Sequence, residues 1–300
     1  LFGAALIFAG YEFALFFLYY RYRAANKENR DIVPLERRPA GVGQVSLDGD
    51  DTCGEECTDP VDQKIRHALQ FLEPELYGFI REHVSLDAVD TSKTSLMFTD
   101  HLFNVQVLED KQYRLIINLH KVNDLRFLNQ YYLAAHEKLE PNGFFVGKAH
   151  TLETHRAYFL RVFPQAWIGR PLYFVDFIWN RVFPKLPVMK KIYFAWTKGK
   201  NRLLSEAEIF GRLCFCGFRP VAETVINDRL YFIAKKVKTP AENPDPTYGP
   251  LVQLKRSGFQ GKTIVVYKFR TKHPYSEYLQ EYVYERNKLA EGGKFREDFR

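Results

Sequence analysis

Sulfur-containing residues are scarce in this 300-residue chain, which has only 2 Met and 4 Cys. Cys53 and Cys57 are separated by three residues, and Cys214 and Cys216 by one. Neither spacing is the two-residue gap of the usual zinc knuckle, which argues against a zinc site of that kind. The pattern favours free thiols in a reducing compartment, with a metal site or a disulfide as the alternative.

Glycine is almost missing from residues 61 to 113, where Gly78 is the only one. Enzymes that bind nucleotide-like cofactors on a strand–turn–helix unit use glycine where the backbone must approach the cofactor closely. The stretch therefore excludes a G-x-G turn of that type between these residues.

Acidic residues are absent between Phe177 and Ser205, although that stretch contains seven Lys or Arg. Over the whole chain 43 Lys and Arg outnumber 36 Asp and Glu, which gives a formal net charge of +7. Such an excess favours an anionic partner, whether nucleic acid, a membrane surface or a phosphorylated substrate. Composition alone does not choose among the three.

A long apolar run, "LFGAALIFAGYEFALFFLYY", occupies residues 1–20 and holds one ionisable group, Glu12. Twenty helical residues span about 30 Å, the thickness of a bilayer core. Aromatic and then basic residues follow, so we predict a transmembrane helix over 1–23, with a signal peptide as the competing hypothesis. The predicted location is the bacterial inner (cytoplasmic) membrane with the globular part in the cytoplasm, and a polar, flexible linker follows over 24–60. Because the chain starts with Leu1 inside this run, we expect a piece of a longer protein.

Residues 161–202 interleave aromatic residues, prolines and cations. Three hypotheses fit such an insertion: core packing, a membrane-interface segment that contacts the lipid bilayer, or a single-strand nucleic-acid groove. No nucleic-acid motif accompanies the insertion, so we expect no nucleic-acid partner. The candidate membrane-interface residues are Trp167, Trp179, Lys190, Lys191, Trp196 and Lys198.

Alternating strand and helix patterns run through the middle of the chain. "RLIINLH" (114–120) predicts a buried strand, "DLRFLNQYYLAAHEKL" (124–139) a helix and "EPNGFFVGKAHT" a turn and strand. "SEAEIFGRLCFCGF" predicts a helix with Ser205 as N-cap, and "RPVAETVIN" and "RLYFIAKKV" predict a closing hairpin. This order resembles the second half of the class I methyltransferase fold, a Rossmann-type three-layer α/β domain that we assign to 61–236. Because the glycine turn is missing, we expect no S-adenosylmethionine and a degenerate, structural or regulatory version of that fold.

A second hairpin is predicted after a proline-rich linker at 237–248, from "LVQLKR" and "TIVVYKFR". Strand alternation puts Lys268 and Arg270 on one face, followed by the hydroxyl of Thr271. Two cations and a hydroxyl suit a phosphate-bearing ligand. The alternative is a solvated strand edge that carries lysine.

The same segment closely resembles the start of the bacterial sugar transferase family, the polyprenyl-phosphate sugar-1-phosphate transferases. The matching residues are Gly249, Pro250, Gln253, Arg256, Gly258, Gly261, Lys262, Tyr267, Lys268, Phe269, Arg270 and Thr271. The resemblance implies that residues 249–300 are the β-hairpin and first helix of an incomplete sugar transferase domain, whose catalytic Asp-Glu pair lies beyond Arg300. Gln253, Arg256, Lys268, Arg270 and Thr271 would then bind substrate phosphate.

That family implies transfer of sugar-1-phosphate from a nucleotide-sugar to polyprenyl phosphate, with Mg²⁺, to initiate cell-surface polysaccharide synthesis. The expected architecture is α/β: a transmembrane helix, a methyltransferase-like domain and the truncated transferase domain. Two alternatives remain open, a methyltransferase that uses S-adenosylmethionine on lipid or glycan, and a non-catalytic membrane scaffold. S-adenosylmethionine binding would favour the former alternative.

Overall fold

A computed structural model of the chain describes Leu69 and residues 74–85, 91–163, 165–242, 246 and 248–286. Its helices and strands are, in chain order, α1 (Pro74–His83), β1 (Thr94–Met97), α2 (Phe103–Gln106), β2 (Tyr113–Lys121), α3 (Leu128–Lys138), β3 (Leu139–Ala149), α4 (Leu152–Val162), α5 (Ala166–Phe177), α6 (Pro187–Thr197), α7 (Glu206–Phe215), β4 (Phe218–Ile226), β5 (Arg229–Lys236), β6 (Leu251–Ser257), β7 (Thr263–Phe269) and α8 (Gln280–Arg286).

Five strands form one mixed sheet in the order β1-β2-β3-β5-β4. Strands β1, β2 and β3 are parallel, whereas β5 inserts antiparallel between β3 and β4. The predicted strand at 114–120, the helix after it and the closing hairpin all occur at the expected places. Asn227 and Asp228 form the hairpin turn with φ of 49° and 57°, values that Asn and Asp tolerate better than most residues.

Helices cover both faces of this sheet, because the central strands alternate between two apolar cores. Leu115 and Ile117 of β2 pack with Leu76 and Ile80 of α1 on one face. Ile116 points to the opposite face, where the core contains residues of α3 and α7. The domain therefore has three layers, as the alternation of a fully buried strand requires.

The insertion at 161–202 folds into helices that end in irregular turns. Helix α5 passes into a π-helical turn at Ile178–Val182 and a 3₁₀ turn at Phe183–Lys185, before Pro187 starts α6. Asn180, Arg181 and Tyr193 are buried on its inner side. That side is part of the folded domain, as the core-packing hypothesis predicts.

Residues 251–269 form the predicted second hairpin as a separate two-stranded sheet. The chain after it returns to the main domain, since Tyr275 and Leu279 are 3% and 5% exposed in the core beside α7. Gly211 permits this contact because a Cβ there would stand 2.4 Å from the carbonyl oxygen of Tyr275. The helix expected after this hairpin is, in the described residues, Gln280–Arg286, and it follows a 3₁₀ turn at Ser276–Tyr278.

The predicted transmembrane helix over 1–23 and the linker over 24–60 lie outside the described residues. Within the described ranges no helix is long and apolar enough to cross a membrane. The described residues therefore give no support to the architecture with a membrane-spanning helix or to the inner-membrane location that followed from it.

Candidate functional site at the carboxyl edge of the sheet

Polar side chains gather where the three parallel strands end, the edge at which open α/β sheets bind ligands. Asn118 of β2 accepts a hydrogen bond from the backbone N–H of Thr99 at 3.2 Å and donates to the Thr99 carbonyl at 3.0 Å. Its amide also contacts the hydroxyl of Tyr131 at 2.6 Å. These contacts fix the turn after β1 against the end of β2.

A histidine–aspartate pair stands beside this turn. Nε2 of His120 lies 3.1 Å from Oδ2 of Asp124, and Asp124 Oδ1 accepts the backbone N–H of Asn201 at 2.7 Å. Burial alone would raise the pKa of Asp124, but the contact with His120, the ammonium of Lys121 and the Asn201 N–H outweigh it and lower the pKa to about 2. Asp124 is thus ionised at neutral pH and orients the imidazole.

Exposed groups surround the pair on the solvent side. Phe98 is 62% exposed and its ring meets that of His120 edge-on, with centroids 5.0 Å apart. Asp100 accepts from Lys200, whose Nζ lies 2.6 Å away. Burial alone would raise the pKa of Asp100, but Lys200 and the neighbouring histidines lower it. The edge therefore offers an aromatic face, carboxylates and cations within one surface.

Asn123 connects this surface to the rest of the domain. Its amide donates to the carbonyls of His150 and Arg202, each at 2.7 Å, and its Oδ1 accepts the N–H of His150 at 2.7 Å. This side chain holds together the ends of β2 and β3 and the end of the insertion.

A second histidine–aspartate pair joins α4 to the insertion. Nε2 of His155 is 2.7 Å from Oδ2 of Asp176, and Asn180 donates to Asp176 Oδ1 at 2.8 Å. Asp176 is 2% exposed, so this pair orders α4 against α5 in the interior.

A buried carboxylate, Glu208 of α7, lies below the irregular turn after α5. Its Oε2 is 2.6 Å from Nη1 of Arg181 and 3.8 Å from Nζ of Lys185, and its Oε1 is 3.1 Å from Nη2 of Arg212. Burial alone would raise the pKa of Glu208, but Arg181, Arg212 and Lys185 lower it to about 2. Ser205 caps α7 by accepting the backbone N–H of Glu208, so the predicted N-cap is confirmed. The Glu208 side chain takes no part in the cap and pairs with the three cations instead.

The residues predicted to bind phosphate fall into two places. Arg270 and Thr271 line a cavity of about 330 Å³ together with Arg181 and Lys185. Arg256 is exposed and lies opposite Ile264 in the hairpin. Ile264 is six residues before Arg270, so Arg256 is about 20 Å from Arg270 along the strand direction.

Lys268 is also exposed on β7. The side chain of Gln253 lies outside the described residues. The assignment of the five residues to phosphate stays a prediction.

The residues predicted for a membrane interface are mostly on the surface. Trp167 and Trp196 are 71% and 67% exposed. Lys190, Lys191 and Lys198 are exposed too. Trp179 is different, because it is half-buried against Phe183 and Tyr193, with ring centroids 5.3 and 5.8 Å away.

Cys214 and Cys216 are buried free thiols, whereas Cys53 and Cys57 lie outside the described residues. In the ranges that the structure covers, no group of three or more His, Cys, Asp or Glu could hold a metal ion.

Sequence reasoning missed the His120–Asp124 pair. Its signal was available, since "HKVND" directly follows a buried strand at the edge where parallel sheets bind ligands. The partner Asn201 could not be foreseen because it is 77 residues away in the chain.

No family model matches the chain, and no curated protein matches it. Among solved structures, a chain in the complex between the Trm112 methyltransferase activator and a methyltransferase of Haloferax volcanii is similar at 7% identity and a TM-score of 0.34, over 60% of this chain and 99% of that one. An S-adenosylmethionine-dependent methyltransferase of Thermotoga maritima is similar at 9% identity and a TM-score of 0.29, over 57% and 98%. An arsenic(III) S-adenosylmethionine methyltransferase of Chlamydomonas reinhardtii is similar at 15% identity and a TM-score of 0.21, over 54% and 50%. Similarity at this level assigns neither an activity nor a cofactor to this chain.

Three predictions are corrected by these comparisons, and a fourth is left without support. The sugar transferase resemblance was wrong as an identification, because no family model matches residues 249–300 or any other part. The predictions of sugar-1-phosphate transfer and of bound Mg²⁺ were wrong with it, because only the resemblance implied them. The expectation that S-adenosylmethionine plays no part finds no support either; two of the similar structures are named for that cofactor.

Proposed function

We propose that the chain is a transferase of the methyltransferase class, which uses S-adenosylmethionine at the carboxyl edge of its sheet. The observation that carries the proposal is the His120–Asp124 pair at the end of β2, 3.1 Å apart. The pair lies at the carboxyl edge of a three-layer sheet, and residues 114–236 follow the order of strands and helices from which the methyltransferase resemblance was drawn.

The chemistry of the donor set fits the cofactor. S-adenosylmethionine has an aromatic base, ribose hydroxyls, an amino-acid head and a positive sulfonium. Phe98 offers an exposed ring face, Asp100 an ionised acceptor for hydroxyl or ammonium groups, and Lys121 a cation for the carboxylate. The turn after β1, residues 98–102, contains no glycine, so side chains rather than a close backbone turn would make these contacts.

When bound, the cofactor supplies an electrophilic methyl group. The task left to the chain is to make the acceptor nucleophilic, which His120 can do by taking its proton at an imidazole nitrogen. Asp124 stabilises the imidazolium that forms, because it is held ionised by Lys121 and by the Asn201 N–H. General-base assistance of this kind is typically worth about 10²- to 10⁴-fold in rate.

Calorimetric titration of the whole chain with S-adenosylmethionine tests the proposal. We expect saturable binding that Phe98→Ala weakens, whereas Phe269→Ala, which removes a still more exposed ring on the separate hairpin, leaves it unchanged. Transfer of labelled methyl to lipid or glycan acceptors should fall about 100-fold or more in His120→Gln, with cofactor binding retained. No saturable binding to the wild-type chain would refute the proposal and favour a non-catalytic scaffold.

A further inference from the structure

A cavity of about 330 Å³ opens between the irregular turn after α5 and the segment that follows β7. Its polar lining is almost entirely basic: Arg181, Lys185, Arg270, Lys272 and His273. It lies apart from the His120–Asp124 pair, which is not among its lining residues.

Among the described residues, the wall of this cavity carries more cations than carboxylates. Arg181 and Lys185 share Glu208 with Arg212, so three cations face one carboxylate that is 0% exposed. Their side chains are 8%, 17% and 7% exposed, respectively. Burying cations in such excess is costly unless an anion joins them.

The charges act on each other across the cavity. Burial lowers the pKa of Lys185 to about 8; Glu208 opposes the shift, while Arg181, Arg212 and Arg270 add to it. Burial also lowers the pKa of His273, again with help from Arg181 and Lys185. Tyr248 lies over the same cluster, with its ring centroid 5.1 Å from Lys185 Nζ.

The groups that would meet an anion are held in place. Nε of Arg270 donates to the carbonyl of Gly249 at 3.0 Å, and the backbone N–H of Arg270 donates to the carbonyl of Pro250 at 2.7 Å. Nδ1 of His273 lies 3.2 Å from the hydroxyl of Ser205, the cap of α7. Guanidinium groups fixed in this way, next to the ammonium of Lys185 and the hydroxyl of Thr271, are the donor set that proteins use for phosphate.

We propose that this cavity binds the phosphate group of a small anionic ligand, held by Arg181, Lys185 and Arg270. The site is independent of the methyl-transfer site, so either proposal can fail without the other. Its signal in the sequence was incomplete: Arg270 and Thr271 stood out, but Arg181 and Lys185 reach them only through the fold.

Calorimetric titration with inorganic phosphate and, in parallel, glycerol 3-phosphate tests the site, with chloride at equal ionic strength as the blank. We expect saturable binding of at least one of the two phosphates and none of chloride. Tighter binding of the ester would identify the ligand as a phosphomonoester. Absence of saturable binding of either would overturn the proposal.

Two pairs of variants separate a built site from diffuse charge. Lys185→Met and Arg270→Gln should each weaken binding about tenfold or more, the loss expected for one charge-assisted hydrogen bond. Lys190→Met and Arg170→Gln remove the same charges from exposed positions outside the cavity and should have no effect. Equal weakening by the control variants would overturn the proposal, and circular dichroism of each variant shows that it is folded.

Proton uptake gives a further readout. Burial and the neighbouring cations lower the pKa of Lys185 to about 8, so phosphate binding near pH 8 should be accompanied by proton uptake. Titrations in buffers of different ionisation enthalpy measure this uptake, and Lys185→Met should reduce it. Uptake that is unchanged in Lys185→Met would contradict the place of Lys185 in the site.

Discussion

Replacement of Glu208 by Gln tests how the ion cluster beneath the cavity contributes to stability. The change keeps the shape of the side chain but removes the charge that Arg181, Lys185 and Arg212 share. Three cations would then face no carboxylate in a place where Glu208 itself is 0% exposed. Breaking a buried ion pair by removing one partner typically costs about 3–5 kcal/mol.

The pKa of Glu208 gives a second route to the magnitude. Its value is lowered from 4.5 to about 2. Each pKa unit corresponds to about 1.4 kcal/mol, so the ionised carboxylate contributes about 3 kcal/mol at neutral pH. Because the pKa is lowered on folding, this contribution is present above about pH 5 and is lost as the pH falls towards 2. The two routes agree.

Urea unfolding at pH 7 and at pH 3 measures both effects. We expect Glu208→Gln to lower the free energy of unfolding by about 3 kcal/mol or more at pH 7, and by less at pH 3, where the wild type has lost part of the contribution. The exposed Glu277 supplies the control, since Glu277→Gln should change little. A loss below about 1 kcal/mol at pH 7, or a loss that does not depend on pH, would refute the reasoning.

Two further predictions concern the backbone and the thiols. Gly217→Ala should destabilise the fold by about 1 kcal/mol or more, because φ is +87° and a Cβ would stand 2.3 Å from the carbonyl oxygen of Lys238. Gly78→Ala in α1 should stabilise the fold by up to about 1 kcal/mol, because a Cβ there would have nothing within 4 Å. Thermal unfolding measures both, and a Gly217→Ala variant more stable than Gly78→Ala would contradict the reasoning. Cys214 and Cys216 should resist alkylation at pH 8 in the folded chain, because burial raises the pKa of each thiol to about 12. Both should react after unfolding. Rapid labelling of either thiol in the native state, detected by site-resolved mass spectrometry, would disprove this prediction.

Local patterns were sufficient for most of the main sheet. The run "LII" at 115–117 has no polar interruption and predicts a strand buried on both faces, which β2 is. Ser205 followed by Glu208 predicts the start of α7, because a hydroxyl and a backbone N–H three residues apart satisfy each other locally. Interactions of this kind depend on neighbours in the chain, and the sequence displays neighbours directly.

The same patterns failed where a segment was judged by its likeness to a family. The match at 249–271 predicted the hairpin correctly, yet the family assignment built on it was wrong. A hairpin with a basic end is a local structure that many folds can contain, whereas a family is defined by how such pieces are assembled. The composition of the segment could not supply that information.

The sequence by itself determined β2, β3, the two hairpins, the helices α3 and α7 with the cap at Ser205, and the basic character of the insertion, because each depends on residues a few positions apart. Only the tertiary structure decided which charges meet. Arg181 and Arg270 share one cavity although 89 positions separate them in the numbering, and Asp124 finds the N–H of Asn201 only once the insertion has folded back. Contacts of that range arise from the packing of whole elements, so they have no signature in any short stretch of sequence.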